Sequence, residues 1–148
     1  MIVGGAVIYD VVFPSPPYRV WQALVQPEEL AAWLMPSQGF EPVAGTRFTM
    51  ACDPLGQIDG EVLEVIPELR LSLRWAGSFG ETVVTFELER HGSGTRLRLT
   101  HRGWDEAHAA FRDRFDSGWN TKLGAGLAAV LRDQATEPIA AEVKAAFS

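Results

Sequence analysis

After Trp104 the spacing of apolar residues changes from every second position to about every fourth. No other feature constrains the fold as strongly, because each period belongs to one kind of element. Downstream, Phe111, Phe115, Trp119, Leu123 and Leu127 recur four apart, and Val130 and Leu131 follow. This predicts one long amphipathic helix. Upstream, residues 69–75 set Leu69, Leu71, Leu73 and Trp75 against Arg70, Ser72 and Arg74. Residues 81–89 oppose Val84, Phe86 and Leu88 to Thr85, Glu87 and Glu89; residues 95–101 oppose Leu97, Leu99 and His101 to Arg96, Arg98 and Thr100. Such strands have one buried and one wet face, as in an antiparallel sheet. Their inner faces must then share the single helix. A curved sheet wrapped around a long C-terminal helix, an α+β fold, is the economical solution.

The first half supplies the rest. Residues 6–13 are β-branched and aromatic and predict a strand. Ser15 can cap a short helix over residues 16–25, with Pro16 and Pro17 in its first turn. Pro27 restarts the chain into a second short helix whose apolar face is Leu30, Trp33 and Leu34, and Pro36 ends it. Residues 46–51 and 60–66 predict strands, with turns at Asp53-Pro54 and Asp59-Gly60. The facing of residues 60–66 is open, since Val62, Leu63, Val65 and Ile66 are all apolar. Asp105 or Ser117 could cap the long helix. Its glycines Gly118, Gly124 and Gly126 mean either close packing or room for a ligand. Residues 1–135 make one domain. Residues 136–148 carry Ile139, Val143 and Phe147 four apart and predict a short tail helix, folded back or docked on a second subunit as a homodimer contact.

Composition removes several functions. The 148 residues suit a single domain. The net charge of −6 comes with no basic stripe, so no nucleic-acid partner is expected. No apolar run approaches the roughly 18 residues of a membrane span. The start lacks the basic region of a signal peptide. One cysteine, Cys52, cannot form an internal disulfide, and a reducing cytoplasmic setting is expected. Cys52, His91, His101 and His108 show no metal-ligand spacing, and no metal or cofactor is expected. There is no G-x-S-x-G elbow, and Gly92-Ser93-Gly94 and Gly77-Ser78-Phe79-Gly80 are turns.

Several strings, in their order, resemble the START-like helix-grip (SRPBCC) superfamily. They are Phe13-Pro14-Ser15-Pro16-Pro17 with Val20-Trp21-Gln22-Ala23-Leu24, then Pro27-Glu28-Glu29-Leu30-Ala31-Ala32-Trp33. Gly45-Thr46-Arg47-Phe48, Gly60-Glu61-Val62-Leu63-Glu64-Val65, Leu97-Arg98-Leu99-Thr100-His101 and Gly118-Trp119 follow. The branch most similar is the bacterial homologues of the activator of heat-shock-protein-90 ATPase. The resemblance implies the helix-grip fold, a link to the stress response, and a hydrophobic small molecule, lipid-like or aromatic, held between sheet and helix. It also implies two alternatives: a cyclase- or dehydratase-type enzyme, or a co-chaperone-like interaction module.

Residue chemistry gives the candidates. His101 should point inward beside Leu97 and Leu99, where an imidazole is either a bonded core group or a proton-transfer group. Glu61 would be a raised-pKa acid or base if it faced inward, and a solvated carboxylate if not. These are the two weak catalytic candidates. Trp33, Phe48, Trp75, Phe86, Trp104, Phe115 and Trp119, with Leu123 and His101, could converge under the helix. Fully interdigitated they are a core; with a gap they line a ligand cavity.

Overall fold

The computed structural model describes residues 1–132. The tail helix expected over 136–148, and any dimer contact through it, lie outside the described residues. Eight strands form one antiparallel sheet: β1 (Ile2–Val3), β2 (Ala6–Phe13), β3 (Ser37–Gln38), β4 (Arg47–Cys52), β5 (Gly56–Ile66), β6 (Arg70–Gly77), β7 (Gly80–His91) and β8 (Gly94–Arg102). Their spatial order is β1-β2-β8-β7-β6-β5-β4-β3. Helices α1 (Pro17–Val25) and α2 (Pro27–Trp33) follow β2, and α3 (Ala109–Thr121) follows β8. The long helix continues through a π-helical stretch, Lys122–Leu127, to residue 132. This is the helix-grip arrangement. The alternating strands wrap their apolar faces around one helix, as the change of period requires.

The helix keeps its apolar stripe. Phe115, Trp119, Leu123, Leu127 and Leu131 are all buried against the sheet's inner residues, among them Leu71, Leu73, Trp75, Val84, Phe86, Leu97 and Leu99. Asp105, not Ser117, opens it: the Asp105 side chain accepts from the His108 backbone N–H at 3.0 Å, capping a 3₁₀ turn that leads into α3. At α1 the capping position belongs to Pro16 and no side chain caps the helix. Ser15 instead offers its carbonyl to the Thr95 hydroxyl at 2.7 Å, tying the end of β2 to β8. A buried ion pair, Arg19 to Glu29 at 2.7 Å, locks α1 to α2. The Arg19 guanidinium also reaches the Val130 carbonyl at 3.4 Å, so both short helices are held against the end of the long one.

Two expectations change and one open point is settled. Asp59-Gly60 is not a turn; it lies inside β5, where Gly60 pairs with Phe48. A Cβ at Gly60 would sit 2.3 Å from the Phe48 ring, so the glycine makes room for an aromatic crossing the strand. The ambiguous run in β5 is settled by a bulge between Val62 and Glu64. Val62 faces the core, while Leu63 and Glu64 are both exposed, because the extra residue shifts the alternation. Leu69 does not share the buried face of Leu71, Leu73 and Trp75; it lies before β6, in the turn, and is exposed.

Candidate functional site

The helix stripe and the inner sheet meet in two different ways. Towards β8 they close completely. His101 is fully buried. The Trp119 indole N–H donates to His101 Nδ1 at 3.0 Å. Nδ1 is therefore the acceptor, and the proton resides on Nε2, which lies 2.8 Å from the Thr82 hydroxyl oxygen. The Thr82 hydroxyl in turn donates a hydrogen bond to the Trp75 carbonyl at 3.0 Å. The chain of donors runs in one direction, from Trp119 through His101 and Thr82 to the β6 backbone. Burial lowers the His101 pKa from 6.5 to about 3, so the ring is neutral. Trp104 covers it with ring centroids 4.5 Å apart and donates its indole N–H to the His101 carbonyl at 3.0 Å. Phe115 packs edge-on to His101 at 5.1 Å and against Phe79 at 5.0 Å.

At the opposite side the same helix leaves a gap. A cavity of about 390 Å³ opens between α3, the exit of α2 and the turn joining β4 to β5. Trp75, Phe115 and Trp119 form its aromatic wall. Trp75 and Trp119 are stacked, with centroids 5.7 Å apart and planes 14° from parallel. Leu34 and Met35 close one side, where Pro36 turns the chain out of α2; Cys52, Pro54 and Leu55 close the other. Burial raises the Cys52 thiol pKa, with Lys122 opposing that shift. Arg114, Gly118 and Lys122 line the helix side of the mouth, and Asp53 lies among the turn residues.

Of the residues expected to bind a ligand, Trp75, Phe115 and Trp119 reach this cavity. His101 and Trp104 lie in the closed cluster behind them. Trp33 donates its N–H to the Ala23 carbonyl at 2.8 Å and meets Phe86 edge-on at 6.3 Å, so both serve the core. Leu123 is buried in the helix stripe. Phe48 packs on Phe40 at 5.1 Å near the β3 edge of the sheet. Glu61 points away from the core: it lies 3.6 Å from Arg74 across the β5–β6 pair, both partly exposed. The residues the sequence reading missed are Leu34, Met35, Cys52, Asp53, Pro54, Leu55, Arg114, Gly118 and Lys122. One signal was available: Arg114, Gly118 and Lys122 recur four apart, a stripe adjacent to the apolar one.

Among the described residues no three His, Cys, Asp or Glu side chains converge to hold a metal ion. No helix there is long and apolar enough to cross a membrane.

A sheet gripping one long helix, with a cavity left beneath it, defines a helix-grip domain. The chain belongs to the activator of Hsp90 ATPase homolog 1-like protein family, whose model matches residues 14–132. Among solved structures it is similar to protein MLL2253 from Mesorhizobium loti, with 30% identity, TM-score 0.80, and coverage of 86% of this chain and 97% of that one. It is also similar to DynU16, described as a putative protein in the dynemicin biosynthetic locus, with 26% identity, TM-score 0.72, and coverage of 86% and 47%. The Aha1 dimer from Colwellia psychrerythraea shares the fold at 24% identity and TM-score 0.70, with coverage of 80% and 90%. No curated protein matches the chain.

Proposed function

We propose that this domain binds a hydrophobic small molecule in the cavity beneath α3, without covalent chemistry. One observation carries the reading. The cavity of about 390 Å³ has an almost continuous apolar wall, Leu34, Met35, Leu55, Trp75, Phe115 and Trp119, in a size range typical of ligand sites. The closed cluster behind it supports the same reading. The Trp119 ring is fixed by its bond to His101, so one wall of the cavity is rigid before any ligand arrives. Preorganisation of this kind lowers the ordering cost of binding.

The acid–base alternative finds less support. Both His101 ring nitrogens are engaged and the ring is fully buried. Glu61 lies on the other face of the sheet, beside Arg74.

Native mass spectrometry of freshly purified protein, followed by denaturing extraction, tests the proposal. The expected result is a reproducible extra mass, lost on denaturation and absent from Gly118→Leu, whose side chain would fill the mouth. The same spectrum reports any dimer. A bound mass that Gly118→Leu retains would place the ligand elsewhere and overturn the assignment of the cavity.

A further inference from the structure

The mouth of the cavity is charged although its wall is apolar. Arg114 on α3 and Lys122, the first residue of the π-helical stretch, flank Gly118 about one turn to either side, and all three line the opening. A Cβ at Gly118 would meet nothing within 4 Å, so the glycine leaves a clear window between the two cations. Among the described residues neither cation has a carboxylate within ion-pair distance. Arg114 lies 6.0 Å from the Phe111 ring centroid, and the Lys122 ammonium donates to the Leu34 carbonyl at 2.8 Å. Lysine has three donors and arginine five, so most of their hydrogen-bonding capacity is unused. Asp53 is the one carboxylate in the lining, set against two cations on a chain whose net charge is −6. The wall also contains a tryptophan with an unpaired donor. Trp75 is fully buried and its indole N–H has no protein partner, although buried donors are rarely left unpaired.

We propose that the ligand of this cavity is an amphiphile with an apolar body and a single anionic head, and that Arg114 and Lys122 hold that head at the mouth. The inference rests on the cavity being a site for an apolar small molecule, and it names what such a molecule must carry. The body packs on Trp75, Phe115 and Trp119. A carboxylate lying over Gly118 can accept from both flanking cations, which makes charge-assisted bonds stronger than those a neutral hydroxyl could form.

Dodecanoate and dodecan-1-ol share an apolar body and differ in the head, so their affinities separate the two proposals. Binding of each is read from quenching of tryptophan fluorescence, in the whole protein. The acid should bind roughly tenfold tighter than the alcohol at low salt, the scale of hydrogen bonds to charged groups. Raising the salt should shrink that ratio, since a mouth open to solvent is screened. Arg114→Gln combined with Lys122→Gln should bring the ratio close to one, and Arg114→Lys should retain part of it. Equal affinities in the unaltered protein, or a preference that the double variant keeps, would overturn the anionic head and leave the apolar site standing. Failure of both molecules to bind would overturn the site itself, and the head group with it. The unaltered protein and its salt dependence decide the matter even if the double variant does not fold.

Discussion

The two sides of the space beneath α3 are built from the same aromatic residue types and end in opposite states. At the β8 side every polar group is answered: Trp119 by His101, His101 by Thr82, Thr82 by the Trp75 carbonyl, and Trp104 by the His101 carbonyl. At the mouth Gly118 faces open space, and Trp75 in the wall carries a buried indole N–H with no protein partner. Trp75 belongs to both, with its carbonyl in the closed chain and its ring in the cavity wall. The difference teaches that aromatic content does not decide between core and cavity. Rings of one kind close into a core at one side and border a gap at the other, and Trp119 does both, bonded to His101 behind and lining the cavity in front.

The largest test of this contrast is at Trp119, which joins the two regions. Trp119→Ala removes a buried ring and strands the His101 Nδ1 acceptor. A loss of about 3–5 kcal/mol of stability is expected, measured by urea unfolding. Trp119→Phe keeps most of the packing and deletes only the N–H, so about 1–3 kcal/mol should be lost. A Trp119→Phe variant as stable as the parent would mean that packing alone matters and that the donor chain contributes nothing.

The closed side should also give the protein a distinctive acid sensitivity. Folded His101 stays neutral because burial lowers its pKa from 6.5 to about 3, while the unfolded chain takes up a proton near 6.5. The unfolded state therefore binds more protons between these values. Stability is intact above 6.5 and is lost as the pH falls from 6.5 towards 3. Linkage gives a loss of about 2 kcal/mol between pH 7 and pH 5 from this residue. His101→Gln, which can still accept from Trp119, should be less stable at neutral pH but should lack this slope. A variant with the same slope as the parent would show that His101 is accessible to protons.

Much of this architecture was legible before any coordinates. The change of period after Trp104 gave the helix, its buried face and the strands that wrap it, because periodicity reports burial directly. The inward His101 followed from alternation with Leu97 and Leu99. What stayed hidden depends on register and on contacts between distant segments. The bulge in β5 exposes Leu63, and no residue type announces it. Gly60 reads as a turn residue until Phe48 is seen to cross it. Candidates such as Phe86 and Trp33 are aromatic like Trp75, yet they pair with each other rather than with a cavity. Leu34, Met35 and Leu55 meet Trp75 only because the α2 exit and the β4–β5 turn converge in space. Of the mouth, only the Arg114–Gly118–Lys122 stripe was readable on the helix alone.

Two glycines on the same helix sharpen the comparison with identical substitutions. Gly118→Ala adds a methyl group to open space, so the gain in helix propensity should raise stability by about 1 kcal/mol. Gly126→Ala would bring its Cβ to 3.1 Å from the Trp33 carbonyl oxygen and 3.6 Å from the Trp33 Cα. Those are backbone atoms of α2 that cannot swing aside, and the crowding should cancel the propensity gain or reverse it. Thermal unfolding of the two variants side by side measures the difference. Equal stabilisation at both positions would mean that α2 yields to the long helix.

The smallest effect is expected at Glu61, which belongs to neither region. Its carboxylate lies 3.6 Å from the Arg74 guanidinium on the outer face of the sheet. A partly exposed pair of this kind contributes less than about 1 kcal/mol, because water screens the attraction and two long side chains must be ordered to make it. Glu61→Gln should therefore shift the unfolding midpoint only slightly. It should leave the dodecanoate-to-dodecan-1-ol ratio as it is in the parent, since the sheet separates this residue from the mouth. That second reading carries the weight. Should Glu61→Gln alter the ratio as strongly as Arg114→Gln does, the outer face would be coupled to the cavity. Ligand recognition would then have to be sought across the sheet, through Arg74 and β6 to Trp75, which stacks on Trp119 of the helix, and the contrast between a closed side and an open mouth would no longer describe how this domain selects what it binds.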